Sequence, residues 1–155
     1  MTTVTRLAAL ALGAALVAAP LTATAQSFDN HIAARKGEMQ IMSFNLGILG
    51  GMARGNMPYD AEAAQAAADN LVAISQLTQT VQWAEGSDNM ELSNTRALPA
   101  IWDDFADFQA KWASFGERAV ALQAVAGQGA EGLGAAIGGV GGTCQACHEA
   151  YRQPN

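Results

Sequence analysis

The sequence predicts an all-α protein folded as an antiparallel, up-down-up-down four-helix bundle. Three observations predict it. Apolar residues recur at steps of three, four and seven in four segments of roughly 20–26 residues. Short stretches rich in Gly, Pro and polar residues separate those segments. No stretch alternates apolar and polar residues with the period of two that a half-buried strand needs. Four amphipathic helices joined by short breaks bury their stripes against one another, and 155 residues suit one domain.

Residues 1–25 stand apart from that pattern. Arg6, an apolar run from Leu7 to Ala19, Pro20 and the tripeptide Ala23-Thr24-Ala25 follow the order of a secretory signal peptide. The apolar run is shorter than the roughly 20 residues that span a bilayer. Cleavage after Ala25 leaves residues 26–155, or 155 − 25 = 130 residues. The expectation is an exported, periplasmic protein with no membrane span in its mature chain.

Segment A runs from about Asp29 to Arg54, with Asp29 or Asn30 as N-cap and Ile32, Met39, Met42, Leu46, Leu49 and Met52 as its stripe. Gly55-Asn56-Met57-Pro58 ends it. Segment B starts at Asp60 and runs to about Trp83 on Ala64, Ala67, Leu71, Ile74, Leu77 and Val81, followed by a polar loop over 85–94. Segment C opens around Thr95–Pro99, since proline is tolerated in a first turn. Its stripe is Ile101, Phe105, Phe108, Trp112, Phe115, Ala119 and Leu122. Segment D covers about Glu131 to Arg152 on Leu133, Ile137, Val140, Cys144, Cys147 and Tyr151.

Segment D contains Gly134, Gly138, Gly139, Gly141 and Gly142, each costing about 0.8–1 kcal/mol against Ala inside a helix. The expectation is that their missing side chains admit a bulky group against the backbone.

Charge narrows the function. The chain has 14 Asp+Glu against 8 Lys+Arg, a net charge of −6, and loss of Arg6 with the leader gives 7 − 14 = −7. An acidic, aromatic-poor chain has no basic surface with which to release counterions from a phosphate backbone, which sets nucleic acid aside. The acidic excess suggests steering of a basic redox partner. No Ser/His/Asp arrangement, paired carboxylate site or phosphate loop stands out, so an enzyme is not expected.

Residues 144–148 read Cys-Gln-Ala-Cys-His. In an exported protein C-x-x-C-H is the attachment signature of c-type haem. Two thiols three residues apart on a helix share a face, and each adds to a haem vinyl group. His148 then directs its imidazole at the iron as proximal ligand. A thioredoxin-type redox pair wants a βαβ context, a structural zinc wants four ligands, and a plain disulfide leaves His148 and the glycines without a role. Haem c, bound through Cys144 and Cys147, accounts for all of them.

On the opposite side of the iron, geometry narrows the candidates without choosing among them, and a Met on a helical stripe such as Met39 is as readily a gap-filling core residue as a ligand. In an antiparallel bundle the haem lies level with the first turns of A, and Met39 is about 15 Å along it. Met42 shares part of that face and is expected in the core, while Met52 is a further ~20 Å away. His31 and Met90 lie at the same end but in a terminus and a loop. Trp102, Phe105 and Phe108 are core by spacing, and two of the three are expected to wall the haem.

The mature chain resembles the cytochrome c′ family, the class II c-type cytochromes. The residues that carry the likeness are Gly141-Gly142-Thr143-Cys144-Gln145-Ala146-Cys147-His148-Glu149-Ala150-Tyr151-Arg152, Leu98-Pro99-Ala100-Ile101-Trp102, and Arg54-Gly55-Asn56-Met57-Pro58-Tyr59-Asp60 at the A–B turn. The resemblance implies a four-helix bundle with haem near one end. It places Met39 on the family's distal face, where low-spin members carry an iron-ligating Met. It also places Arg35 on an arginine that lies beside a haem propionate. By helix spacing Arg152 sits one turn beyond His148, where it either pairs with a propionate, polarises the proximal pocket or is a solvated C-terminal arginine suited to the helix dipole. Two functions follow as expectations. The first is a one-electron carrier with low-spin iron held by His148 and Met39. The alternative is a five-coordinate, high-spin protein that binds NO or CO with Met39 crowding the distal face. Many members are homodimers packing helix A on A and B on B, so the same assembly is a candidate here.

Overall fold

The computed structural model describes residues 27–154, so the expected leader over 1–25 lies outside the described residues. Four long helices form the body: α1 (Asp29–Ala53), α2 (Ala61–Ser75), α4 (Phe105–Ala126) and α5 (Leu133–Tyr151), with one turn, α3 (Ala100–Asp103), ahead of α4. Among the described residues there is no β-strand beyond an isolated bridge between Ala97 and Arg152.

Each long helix packs on two others: α1 on α2 and α5, and α4 on α2 and α5. The pairings run antiparallel. Across α2 and α4, Gln123 donates to Asp69 Oδ1 at 2.9 Å and Gln65 to Gln123 O at 3.4 Å, while Ser75 lies beside Gly116 further along. Between α4 and α5, Val125 meets Gly132, Arg118 meets Gly139, and Asp107 meets Tyr151. The core of Leu49, Leu71, Leu122, Leu133 and Val140 is fully buried. At its edge the exposed Asn70 of α2 donates to Oδ1 of the buried Asn45 of α1 at 3.0 Å.

The A–B turn is structural. Asp60 caps α2 by accepting from Ala63 N at 2.9 Å, and Gly55 closes α1 at φ +70°. Tyr59 Oη donates to Ala126 O at 2.8 Å and accepts from Gly129 N at 2.9 Å. This end of the bundle is therefore tied shut across two turns.

Several boundaries differ from the sequence reading. α1 has Phe28 at its cap position with no side-chain cap, and Asp29 is already helical. The second helix ends at Ser75, with a 3₁₀ turn over Gln79–Val81 in place of further α-helix. Leu77 is 50% exposed and Val81 75%, so the periodic stripe continues where no neighbour covers it. Segment C breaks at Asp104 (φ −139°, ψ 70°), whose side chain accepts from Asp107 N at 3.0 Å and restarts the helix as α4.

The glycines of α5 overturn their expected role. Gly134, Gly138, Gly141 and Gly142 are exposed, and an added Cβ at each meets open space. Gly139 looks at the side chain of Arg118, 3.6 Å away. None of the five lines the cavity described below.

Candidate haem site

At the end of the bundle away from Tyr59 the apolar core divides in two. One cluster runs through all four long helices, with Met39 and Cys144 packed at its edge. The second comprises Ala97, Ile101, Phe108 and Tyr151, with Trp83 and Cys147 against it. Between them lies a cavity of about 820 Å³, within the size range of sites that bury a cofactor-sized ligand.

Four parts of the chain wall it. α1 contributes Ile32, Arg35, Lys36, Met39, Met42 and Leu46, one helical stripe. α5 contributes Thr143, Cys144, Cys147, His148 and Tyr151, and α4 contributes Phe108, Lys111, Trp112 and Phe115. The link between α2 and α3 closes the remaining side with Trp83 and residues 93–97. Arg152 completes the rim.

The link is stitched to the end of α5. Leu98 N donates to Tyr151 O at 3.0 Å and Gln153 N to Arg96 O at 2.8 Å, while Arg96 donates from Nε to Gln153 O at 3.0 Å. On its other side the link is held to α1 by buried polar groups. Arg35 donates to Ser87 Oγ at 2.9 Å and Ser87 O at 3.0 Å. Glu38 accepts from Gln79 at 3.1 Å and Gln82 at 2.9 Å, and Trp83 Nε1 donates to Gln79 Oε1 at 2.8 Å. Burial pushes the Glu38 carboxyl up and the two glutamine bonds oppose it.

The structure brings together all the residues the sequence singled out as a site: Cys144, Cys147, His148, Met39, Arg35 and Arg152 line one cavity. Cys144 and Cys147 are separate, half-buried thiols whose pKa values burial raises. They are poor thiolate nucleophiles as they stand. Burial, then the charges of Arg152 and Arg96, lower the His148 pKa, so the imidazole is neutral near pH 7, the form that ligates metal. Met42 lines the cavity as well as the core. Of the aromatic trio only Phe108 walls it; Trp102 turns its Nε1 to Trp83 O at 3.0 Å. His31 and Met90 do not line it. Met90 is 76% exposed, and His31 lies edge-on to Phe28 with Nδ1 buried and without a hydrogen-bond partner.

A family model described as Cytochrome C′ matches residues 30–152. The chain belongs to the cytochrome c′ family. It is 40% identical to a cytochrome c′ of Cereibacter sphaeroides, over 91% of this chain and 95% of that one. A solved cytochrome c′ from Rhodobacter superposes with a TM-score of 0.80 at 39% identity, covering 84% of this chain and all of that one. A variant of Alcaligenes xylosoxidans cytochrome c′, solved as its nitric oxide complex, superposes with a TM-score of 0.71 at 30% identity, over 85% of this chain and 100% of that one.

The family binds covalent haem c, and the residues here fit it. The cavity has the volume, both thiols and the neutral imidazole open onto it, and no Asp or Glu lines it to repel a propionate. Sequence spacing missed Lys36, Trp83, Arg96 and Lys111 as wall residues. They lie on three separate elements, and no motif joins them.

Proposed function

We propose that this protein is an exported haem c protein that binds nitric oxide or carbon monoxide at an open iron face behind Met39. The observation that carries the reading is membership of the cytochrome c′ family, which includes a relative solved with nitric oxide bound. The thioether and apolar side chains of Met39, Met42 and Leu46 on the α1 wall support it. They offer a diatomic gas an apolar approach and hold no charge near it.

Bound haem supplies an iron that changes by one electron and accepts an axial ligand. The chain supplies the rest. Cys144 and Cys147 would hold the ring covalently, and His148, on the same helix, would ligate the iron. Met39, Met42, Leu46, Phe108 and Phe115 line the α1 and α4 walls with apolar side chains, and Arg35 and Arg152 would face the propionates. The reading assigns binding and one-electron chemistry, not turnover of an organic substrate. Residues 1–25 act as the export signal, and residues 26–155 form the single exported domain.

A second reading has one specific support. Met39 lines the cavity that His148 lines, and a thioether on iron makes a low-spin electron carrier with a raised potential. The test is the visible spectrum of the purified protein, oxidised, reduced and then exposed to CO. A broad high-spin reduced spectrum that shifts with CO supports the gas-binding reading. A sharp reduced α-band, a weak far-red sulfur-to-iron band and no response to CO overturn it in favour of His148/Met39 ligation, and Met39→Leu would then convert the second type into the first.

Assembly belongs to the same proposal. Ile41 (51% exposed) and Phe44 (68%) form an apolar stripe on the outer face of α1, with Met57 (40%) beside it. Its position supports a homodimer that packs helix A on helix A, joined by B.

A further inference from the structure

The chain's readily oxidised aromatic rings are Trp83, Trp102, Trp112, Tyr59 and Tyr151, and all lie among the described residues. What separates them is the partner of the ring's own proton. An oxidised phenol is a far stronger acid than any carboxylic acid, so a carboxylate bonded to it takes the proton and makes the electron easier to remove. A neutral oxygen offers no such base. Trp83, Trp102 and Trp112 donate to Gln79 Oε1 at 2.8 Å, Trp83 O at 3.0 Å and Ser75 O at 2.9 Å, all neutral. Arg35 also holds its guanidinium carbon 4.5 Å from the Trp83 ring centre, where a cation opposes positive charge on that ring. Tyr59 donates to a neutral carbonyl, Ala126 O, at the far end of the bundle. Among the described residues only Tyr151 gives its proton to a carboxylate, Asp107 Oδ2, at 2.5 Å.

Tyr151 is also set against the cofactor site. It lines the haem cavity, is only 7% exposed, and follows His148 by three residues on α5, so the two share a helix face. Asp107 stands behind it on α4, outside the cavity wall, with Lys111 Nζ 3.4 Å from the same Oδ2. That ammonium favours the charged carboxylate, the form able to accept a proton.

We propose that Tyr151 and Asp107 form a proton-coupled electron donor to the haem centre when a hydroperoxide oxidises it. The hydroperoxide takes two electrons and two solvent protons as its O–O bond breaks, leaving an alcohol and water, or two waters from hydrogen peroxide. Tyr151 supplies one of those electrons, the other coming from the ferric iron. The phenolic O–H bond breaks, its proton moves to Asp107 Oδ2, and a neutral tyrosyl radical remains beside a carboxylic acid. The inference rests on the gas-binding reading, since a hydroperoxide needs the same open iron face.

The experiment uses Tyr59→Phe, which leaves Tyr151 as the chain's one tyrosine and touches neither the cavity nor Asp107. The ferric, haem-loaded variant, grown with ring-deuterated tyrosine, is mixed with hydrogen peroxide, frozen and read by EPR. The expected result is an organic radical whose hyperfine splitting collapses on deuteration of the tyrosine ring. A signal that narrows only with indole-deuterated tryptophan overturns the proposal, as does the lack of any organic radical. Asp107→Asn in the same background keeps an oxygen for the phenol to donate to but removes the base. It should cut the tyrosyl yield at least about tenfold, and an unchanged yield overturns the proton-coupled assignment. The CO spectrum of the same preparation tests the gas-binding reading by itself. A CO shift without a tyrosyl signal overturns this proposal alone, and a tyrosyl signal without a CO shift overturns that reading alone. Neither signal overturns both.

Discussion

The guanidinium carbon of Arg35 lies 4.5 Å from the centre of the Trp83 ring, while its two terminal nitrogens hold Ser87 Oγ and O. The side chain is only 4% exposed. A buried cation is tolerated here because an aromatic face and two oxygens replace its water. The contact also fixes the link from α2 to α3, which walls one side of the cavity.

Arg35→Met should therefore destabilise the haem-loaded protein by about 2–4 kcal/mol, the combined scale of charged hydrogen bonds and a desolvated cation–π contact. Denaturant titration checks the magnitude. Faster hydrogen exchange confined to residues 84–97 checks the place.

Gly134, Gly138, Gly141 and Gly142 sit in helix with open space at each Cβ position. Replacing each with Ala should stabilise the protein by about 0.8–1 kcal/mol, and all four together by ~3–4 kcal/mol. Thermal melts of the haem-loaded variants measure this, with no change expected in the visible spectrum. Loss of haem on substitution would restore the idea that the cofactor packs against these glycines.

Tyr151 Oη donates to Asp107 at 2.5 Å, and that bond holds the Asp107 carboxyl below its ordinary value of 3.8. A group that binds its proton less readily when folded contributes stability above its unfolded pKa and loses it as pH falls through the folded one. In Tyr151→Phe the Asp107 titration followed by carboxyl-carbon NMR should move up toward 3.8, and the acid-unfolding midpoint should move to higher pH. An unmoved Asp107 titration refutes the coupling.

Phe44 is 68% exposed on the outer face of α1. Phe44→Glu should turn a homodimer into a monomer in analytical ultracentrifugation while leaving the spectrum intact, because Phe44 does not line the haem cavity.

Much of this was legible in the residues. The capping Asp60, the turn at Gly55 and the four stripes set helices where the sequence places them, because each is a local demand of helical geometry. Cys144, Cys147 and His148 pointed to the cofactor, because covalent attachment and ligation need those atoms at that spacing. The ends of segments B and C were not legible. Leu77 and Val81 keep the apolar period although nothing covers them, and Asp104 restarts a helix that its neighbours would continue. The α5 glycines were misread, because composition says a side chain is missing without saying which way it would point.

By itself, then, the sequence determined the helices, the bundle and the haem attachment, since these depend on residues close together in the chain. Only the tertiary structure decided that Lys36, Arg96, Lys111 and Arg152 converge on one rim and that Glu38, Gln79 and Gln82 tie the link to α1. Those groups come from four elements, up to 116 positions apart between Lys36 and Arg152 (152 − 36). A charge has no periodicity to betray its neighbours, so packing alone determines where its field points.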